Sequence, residues 1–227
     1  MTEQQKTKIY REIERIRLRY DALFFKKLKR FYEDESILII AKLKINNISN
    51  LDEFFSNRAL RLFETLYPLY QAAIKDCYLY QQNLNGNPEY KASFIDAVSK
   101  ARDYVTKRVS SIVTTTKTQV NKIIQSGNKV IENVKNWYNN PGRIMRISKT
   151  EVNTAANVGI VESAEFSGKK NKIWISRRDN LVRETHQLID GEEQKIEDIF
   201  SNDCYFPGDP NGPASETINC RCFLIFK

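Results

Sequence analysis

Apolar residues recur at intervals of three and four through the first part of the chain: Ile9, Ile13, Ile16, Tyr20, Phe24, Leu28 and Phe31, with Lys, Arg and Glu between them. That period places them on one face of a helix. A second helical stretch begins after Asn50, where Leu51, Phe54, Phe55, Leu60, Leu62, Phe63, Leu66 and Tyr67 make a broad apolar face. Pro68 is expected to kink or divide it. The run Asn83-Leu84-Asn85-Gly86-Asn87-Pro88 predicts a turn. A third stretch spans about Tyr90 to Tyr138, with Gly127 as a break. Its middle, from Ser110 to Thr116, is β-branched and a poor helix former on its own.

Asn139-Asn140-Pro141-Gly142 combines two residues that tolerate left-handed backbone with a proline and a glycine. It is the expected boundary between a basic, mainly helical region over residues 1–140 and a second unit over residues 141–227. Within the second unit, Arg143–Phe166 reads as a helix rich in small residues (Ala155, Ala156, Gly159, Ala164) stopped at Gly168. Lys172-Ile173-Trp174-Ile175-Ser176 alternates like a strand, and Phe223-Leu224-Ile225-Phe226 predicts a final one. Between them, Ser176 followed three residues later by Asp179 resembles a capping box. It predicts a helix to about Ile189, ended by Asp190-Gly191. The fold class is therefore α+β: long N-terminal helices followed by a small C-terminal α+β domain with a short sheet.

Charge sharpens this division. The chain carries +8 overall, with 36 basic and 28 acidic residues. Residues 141–227 hold 12 basic and 13 acidic residues, which leaves 24 and 15, a balance of +9, in residues 1–140. Such a surface suits a polyanion, packaged or free nucleic acid being the obvious one and double-stranded DNA a candidate partner, although a solvated helix face with a basic bias reads the same way. No apolar run approaches the ~18–20 residues of a membrane helix. The polar N-terminus lacks the apolar core of a signal peptide. A soluble product made in the cytoplasm, without membrane contact, is expected.

Candidate chemistry is concentrated in the last fifty residues, which hold the only histidine (His186), three of the four cysteines and three of the six prolines. On the predicted helix, Asp179, Arg183 and His186 fall at i, i+4 and i+7 on one face. Asp179 and Arg183 are expected to pair there, as part of a structural polar network or of a catalytic or metal-binding face. Cys220 and Cys222 lie one residue apart, so a strand would point both sulfurs to one side. Three readings stand: a Cys3His zinc site of His186, Cys204, Cys220 and Cys222; reduced cysteines in a small core; or a disulfide from Cys204 to Cys220 or Cys222. Cys77, in an apolar helical setting, reads as a buried small residue. A Cys–His nucleophile lacks an oxyanion motif and a group to orient the histidine. Neither a phosphate-binding Gly loop nor the zinc-deaminase signature is present. The loop Pro207-Gly208-Asp209-Pro210 is rigid, and either wraps its own domain or presents a binding surface.

Taken in order, these features resemble the phage Mu F-like minor head proteins, the head morphogenesis proteins of tailed bacteriophages. The resemblance covers roughly residues 146–226. It runs from Arg146-Ile147-Ser148-Lys149-Thr150-Glu151 and the small-residue helix, through Trp174, Asp179, Arg183, His186 and Asp190-Gly191, to the Pro-Gly-Asp-Pro loop and Ile218-Asn219-Cys220-Arg221-Cys222. Ser176-Arg177-Arg178 departs from the small or acidic residues more usual there. The sequence ends soon after the Cys-Arg-Cys motif, where some members continue into a toxin-like enzymatic domain, and no enzyme activity is expected. The resemblance implies a low-copy virion component at the portal vertex or capsid interior, with the portal or major capsid protein as partner, and DNA binding in some members; a place beside packaged DNA is inferred from the +9 balance of residues 1–140. Asp179, Arg183 and His186, with Asn219 and Arg221, are expected to brace the Asn219–Cys222 segment. The alternative is a stand-alone nucleic-acid-binding protein using the basic helices, with or without a stabilising zinc ion.

Overall fold

A computed structural model describes residues 2–45, 51–86, 91–177 and 179–227, without the side chains of residues 91–94 and 96. The first helix, α1, runs over Glu3–Lys44 and opens with a capping box, the Thr2 side chain accepting from Gln5 N–H and the Gln5 side chain returning the contact. Ile13, Tyr20, Phe24, Leu28 and Phe31 are buried on its inner face, as their spacing predicts. The second helix, α2, runs over Leu51–Asn85 with Pro68 inside it, so the proline does not divide it. Leu60, placed on the apolar face from sequence, is exposed. Of the expected turn, Gly86 has the left-handed backbone (φ 69°) that ends α2, while Asn87 and Pro88 lie outside the described residues.

The third helix, α3, is continuous over Lys91–Ser126, including the β-branched stretch. There Thr115 and Thr116 donate their hydroxyls to the carbonyls of Ser111 and Ile112 one turn back, which satisfies them without leaving the helix. Gly127 (φ 65°) breaks the chain, and α4 follows over Val130–Tyr138. Asn140 then caps α5 (Pro141–Phe166) by accepting from Arg143 N–H, and Pro141 occupies the first turn, where a missing N–H costs nothing.

The fifth helix is the centre of the molecule. Almost every residue from Ser148 to Ala164 is buried, and α5 packs against α1, α2 and α3 on one side and the sheet on the other. The small residues allow this, and Gly159 sits directly on the backbone of α2 at Ile74. The 140/141 junction is thus a helix start, and the residues on its two sides share one hydrophobic core.

The sheet has three antiparallel strands: β1 (Asn171–Ile175) lies between β2 (Glu193–Lys195) and β3 (Phe223–Phe226), with Trp174 opposite Leu224. Two short helices, α6 (Glu184–Leu188) and α7 (Ala214–Thr217), lie in the connections. The helix expected over Ser176–Ile189 reduces to α6, whose N-cap is Arg183. Asp179 accepts from Leu181 N–H and holds a local turn instead of capping a helix. The α+β class stands, with helix dominant. Among the described residues, no helix is long and apolar enough to cross a membrane.

Candidate functional site

The tail folds back so that its polar residues converge on the segment Ile218–Cys222, though not along a helix face. Asp179 receives both Arg221 guanidinium nitrogens, at 2.6 and 2.7 Å, and also pairs with Arg177 at 3.2 Å. The Arg221 hydrogen bonds hold the Asp179 carboxyl below its usual range. The expected Asp179–Arg183 pair on a helix is replaced by this arrangement. Arg183 donates to the Ile218 carbonyl at 2.7 Å. Asn219 contributes its backbone: it adopts a left-handed conformation (φ 57°), and its N–H donates to Thr150 Oγ1 at 2.9 Å. Arg178, the other half of the Arg-Arg departure, lies outside the described residues.

His186, Cys220 and Cys222 meet in the interior at 2, 3 and 2 % exposure. The Cys222 sulfur lies 3.3 Å and the Cys220 sulfur 3.8 Å from His186 Nδ1. Both cysteines precede β3, Cys222 directly; the turn at Asn219 leads into them, and Cys220 and Cys222 are buried while Arg221 between them is only half-buried. On the far side of the ring, Nε2 sits 3.0 Å from a Glu216 carboxylate oxygen, off the line of a good hydrogen bond, and Thr185 donates to that same oxygen at 2.8 Å. Trp174 packs edge-on against the imidazole with ring centroids 5.1 Å apart. Burial opposes ionisation of Cys220, but its contacts with Cys222 and His186 outweigh this and hold its thiol well below the ordinary range. Cys222 moves the other way, raised first by its contact with Cys220 and then by burial.

Cys204 corrects the expected ligand set. It is buried and free, like the other three cysteines, but it is not among the residues whose ligand atoms gather. Its sulfur lies under Gly212, where a Cβ would approach it to 2.5 Å, and burial pushes its thiol up to about 12. Cys77 is fully buried between apolar helices, its thiol also raised to about 12 by burial.

The Pro-Gly-Asp-Pro loop is not a free binding surface. Pro207, Gly208 and Asp209 are buried against α5, and only Pro210 is half-buried. Asn153 and Asn157 donate to the Pro207 carbonyl at 3.2 and 2.9 Å, and Thr154 to the Gly208 carbonyl at 2.7 Å. Gly208 has a left-handed backbone (φ 86°) that other residues rarely adopt, and it lies so close to Asn153 and Thr154 that a side chain would crowd them. Asp209 accepts from the backbone of Tyr205 and Asn211 and closes the loop on itself. The polar side chains of a small-residue helix therefore serve as a clamp for the loop.

Three further residues carry this architecture without having been legible as site residues. Arg17, from α1, donates to the carbonyls of Arg221 (3.3 Å) and Cys222 (3.0 Å), joining the N-terminal helix to the Cys-Arg-Cys motif. Lys172 is fully buried, its ammonium donating to the Tyr205 carbonyl at 2.8 Å above the Tyr205 ring, and burial draws it down to about 8. Glu151, wholly buried, is held by Arg108 through bonds of 2.8 and 2.9 Å and by the Tyr70 hydroxyl at 2.5 Å. A charged residue within a run of small and apolar ones was the available signal for Glu151; nothing near Arg17 in sequence points to residues two hundred positions away.

Arg108, Glu151 and Thr150 border a cleft of about 480 Å³ between α3, α5 and the Pro210–Ile218 segment, with Lys107, Arg143 and Arg146 on its walls. Its acidic group is already satisfied by Arg108 and Tyr70, so the cleft offers cations and no free carboxylate pair for acid–base chemistry.

Comparison with known proteins fits this geometry. A segment of 87 residues, 36 % of this chain, is 33 % identical to NAD(+)–arginine ADP-ribosyltransferase EFV of Enterococcus faecalis. The match covers 18 % of that enzyme, so the chain spans less than a fifth of its relative's length. No solved structure matches the chain. Residues 110–225, from the middle of α3 through β3, match the family described as phage Mu protein F like protein, so the likeness begins well upstream of Arg146 and takes in helices first set outside it. Spanning just over half of the sequence, and including the α5 clamp, the Pro-Gly-Asp-Pro loop and the histidine–cysteine cluster, this match establishes that the chain belongs to the phage Mu protein F-like family of bacteriophage head morphogenesis proteins.

Proposed function

We propose that the chain is a minor structural component of a tailed-phage head, present in few copies, which docks on the portal or capsid and performs no chemistry itself. The family supports head assembly. The observation carrying the non-enzymatic part is the sealing of the tail's reactive groups: His186, Cys220 and Cys222 are each no more than 3 % exposed, so a substrate has no path to them. The polar residues around them bind carbonyls and one another, which is the work of a structural network. The likeness to an ADP-ribosyltransferase spans too little of that enzyme to bring its activity here.

Docking is attributed to the C-terminal part, where Leu188 and Leu181, at 80 and 75 %, are the most exposed large apolar side chains among the described residues. Coexpression of the full chain with the portal and major capsid proteins of the same phage tests this. Copurification with one of them is expected, weakened at least tenfold in a Leu181→Ser/Leu188→Ser variant whose melting temperature is unchanged. Absence of binding to both proteins would contradict the proposal.

A second reading rests on the +9 balance of residues 1–140: direct nucleic-acid binding. It requires the full chain to hold duplex DNA at ~0.15 M salt with a steep salt dependence. Negligible binding there removes it.

A further inference from the structure

We propose that His186, Cys220 and Cys222 form a buried zinc site, with His186 Nδ1 and the two sulfurs as ligands and Glu216 as the carboxylate behind the imidazole. Zinc binds sulfur at about 2.3 Å and imidazole nitrogen at about 2.0–2.1 Å, so tetrahedral angles separate a sulfur from the nitrogen by roughly 3.5 Å. The distances here are 3.3 and 3.8 Å, one on each side of that value. All three ligand atoms lie within 4.8 Å of one another. A small adjustment of two side chains would equalise the distances.

The orientation of the ring supports the same conclusion. Nδ1 faces the sulfurs, while Nε2 lies 3.0 Å from Glu216. A carboxylate behind a ligating histidine fixes the ring and strengthens it as a donor; here a small rotation of the ring would bring Nε2–H into line with Glu216, with which it makes no aligned hydrogen bond. Glu216 is held in turn by Thr185. The cysteines stand on an equally fixed frame: Arg17 holds the Cys222 carbonyl, and Thr150 the Asn219 N–H. Ligands held in advance in this way lose little freedom when the ion enters.

The site differs from the Cys3His set suggested by composition, because the Cys204 sulfur is not among the ligand atoms that gather. With three protein ligands the set is one short of a closed structural site, and the fourth position would fall to a water held inside the fold, where burial of the three ligands keeps substrates away. The cysteines ligate as thiolates, so each thiol gives its proton to solvent as the ion binds. The ion would join the α6 segment to the Ile218–Cys222 segment, a cross-link inside the fold. This holds whether or not the chain enters a phage head.

The test uses the full chain, purified under reducing conditions without chelator. Mass spectrometric metal analysis should find about one zinc per chain, retained in Cys204→Ser and lost in Cys220→Ser/Cys222→Ser. In case the double variant fails to fold, chelator-stripped wild type provides an independent readout. Cobalt(II) added to it should give thiolate-to-cobalt charge-transfer absorption and the visible bands of a tetrahedral ion, and zinc should restore the melting temperature that stripping lowers. Zinc below about a tenth of an equivalent in the wild type, without cobalt–thiolate absorption, would overturn the site. So would zinc loss in Cys204→Ser, full retention in the double cysteine variant, or another metal in zinc's place.

Discussion

Arg108→Ala should destabilise the protein by about 3–5 kcal/mol, because it leaves the Glu151 carboxylate buried without its cation. At this chain length that corresponds to a fall in melting temperature of roughly 6–20 °C. Glu151 is fully buried at the centre of α5, and Arg108 reaches it from α3 with both its Nε and a terminal nitrogen. Tyr70 of α2 donates to the second carboxylate oxygen, so three helices meet at one charge. The carboxylate also makes Tyr70 harder to ionise: burial raises that phenol well above its ordinary value, and the charge of Glu151 adds to the effect.

Removing both charges avoids the cost of an unpaired ion. The double variant Arg108→Ala/Glu151→Ala should therefore lose clearly less than the sum of the two single variants. Chemical denaturation of the four proteins measures this. Additive losses would show that the pair is not the coupled unit its geometry describes.

Gly159→Ala should also destabilise, by about 1–3 kcal/mol, and its sign is more informative than its size. On helix propensity alone, alanine inside a helix gains about 1 kcal/mol over glycine. Here a Cβ would stand 2.4 Å from the Ile74 carbonyl oxygen and 3.0 Å from the Tyr78 nitrogen. Both atoms are backbone, so no side chain can swing away, and α2 and α5 would have to separate. That movement loosens Ile74, Cys77 and Tyr78, all fully buried. Thermal unfolding decides: a lowered midpoint is expected, and a raised one would mean that the two helices are not in close contact at Gly159.

The long helices were legible because burial on one face demands a period near 3.6, and α1 displays it from Ile13 to Phe31. The strands β1 and β3 were legible from alternation and from a compact apolar run. What misled was local spacing without local cause. Asp179, Arg183 and His186 have helical spacing, but Asp179 is engaged by Arg221 and by the turn at Leu181, so the chain does not become helical until Glu184. The short strand β2 is polar and only three residues long, and it forms because β1 offers an edge to pair with. Pro68 stays inside α2, where packing against α5 outweighs one lost hydrogen bond.

The candidate site was half visible. Sequence pointed to His186, Cys220 and Cys222, and the family resemblance to the segment that holds them. It did not show that Cys204 lies apart, because burial under Gly212 depends on the path of the Pro-rich loop. It did not show Arg17 or Glu216 either. Arg17 reaches the motif only once α1 has packed beside α5 and the sheet, and Glu216 reaches the imidazole through the short helix α7. Contacts of that kind are tertiary, and no periodicity encodes them.

Quantitative mass spectrometry of gradient-purified virions, made by the phage that encodes this chain, tests its role as a head component most directly. The account predicts peptides from both the helical region and the tail in DNA-filled particles, at a small fraction of the major capsid protein and at a constant ratio to the portal. Purified particles without the chain, produced in normal number and equally infectious, would contradict it.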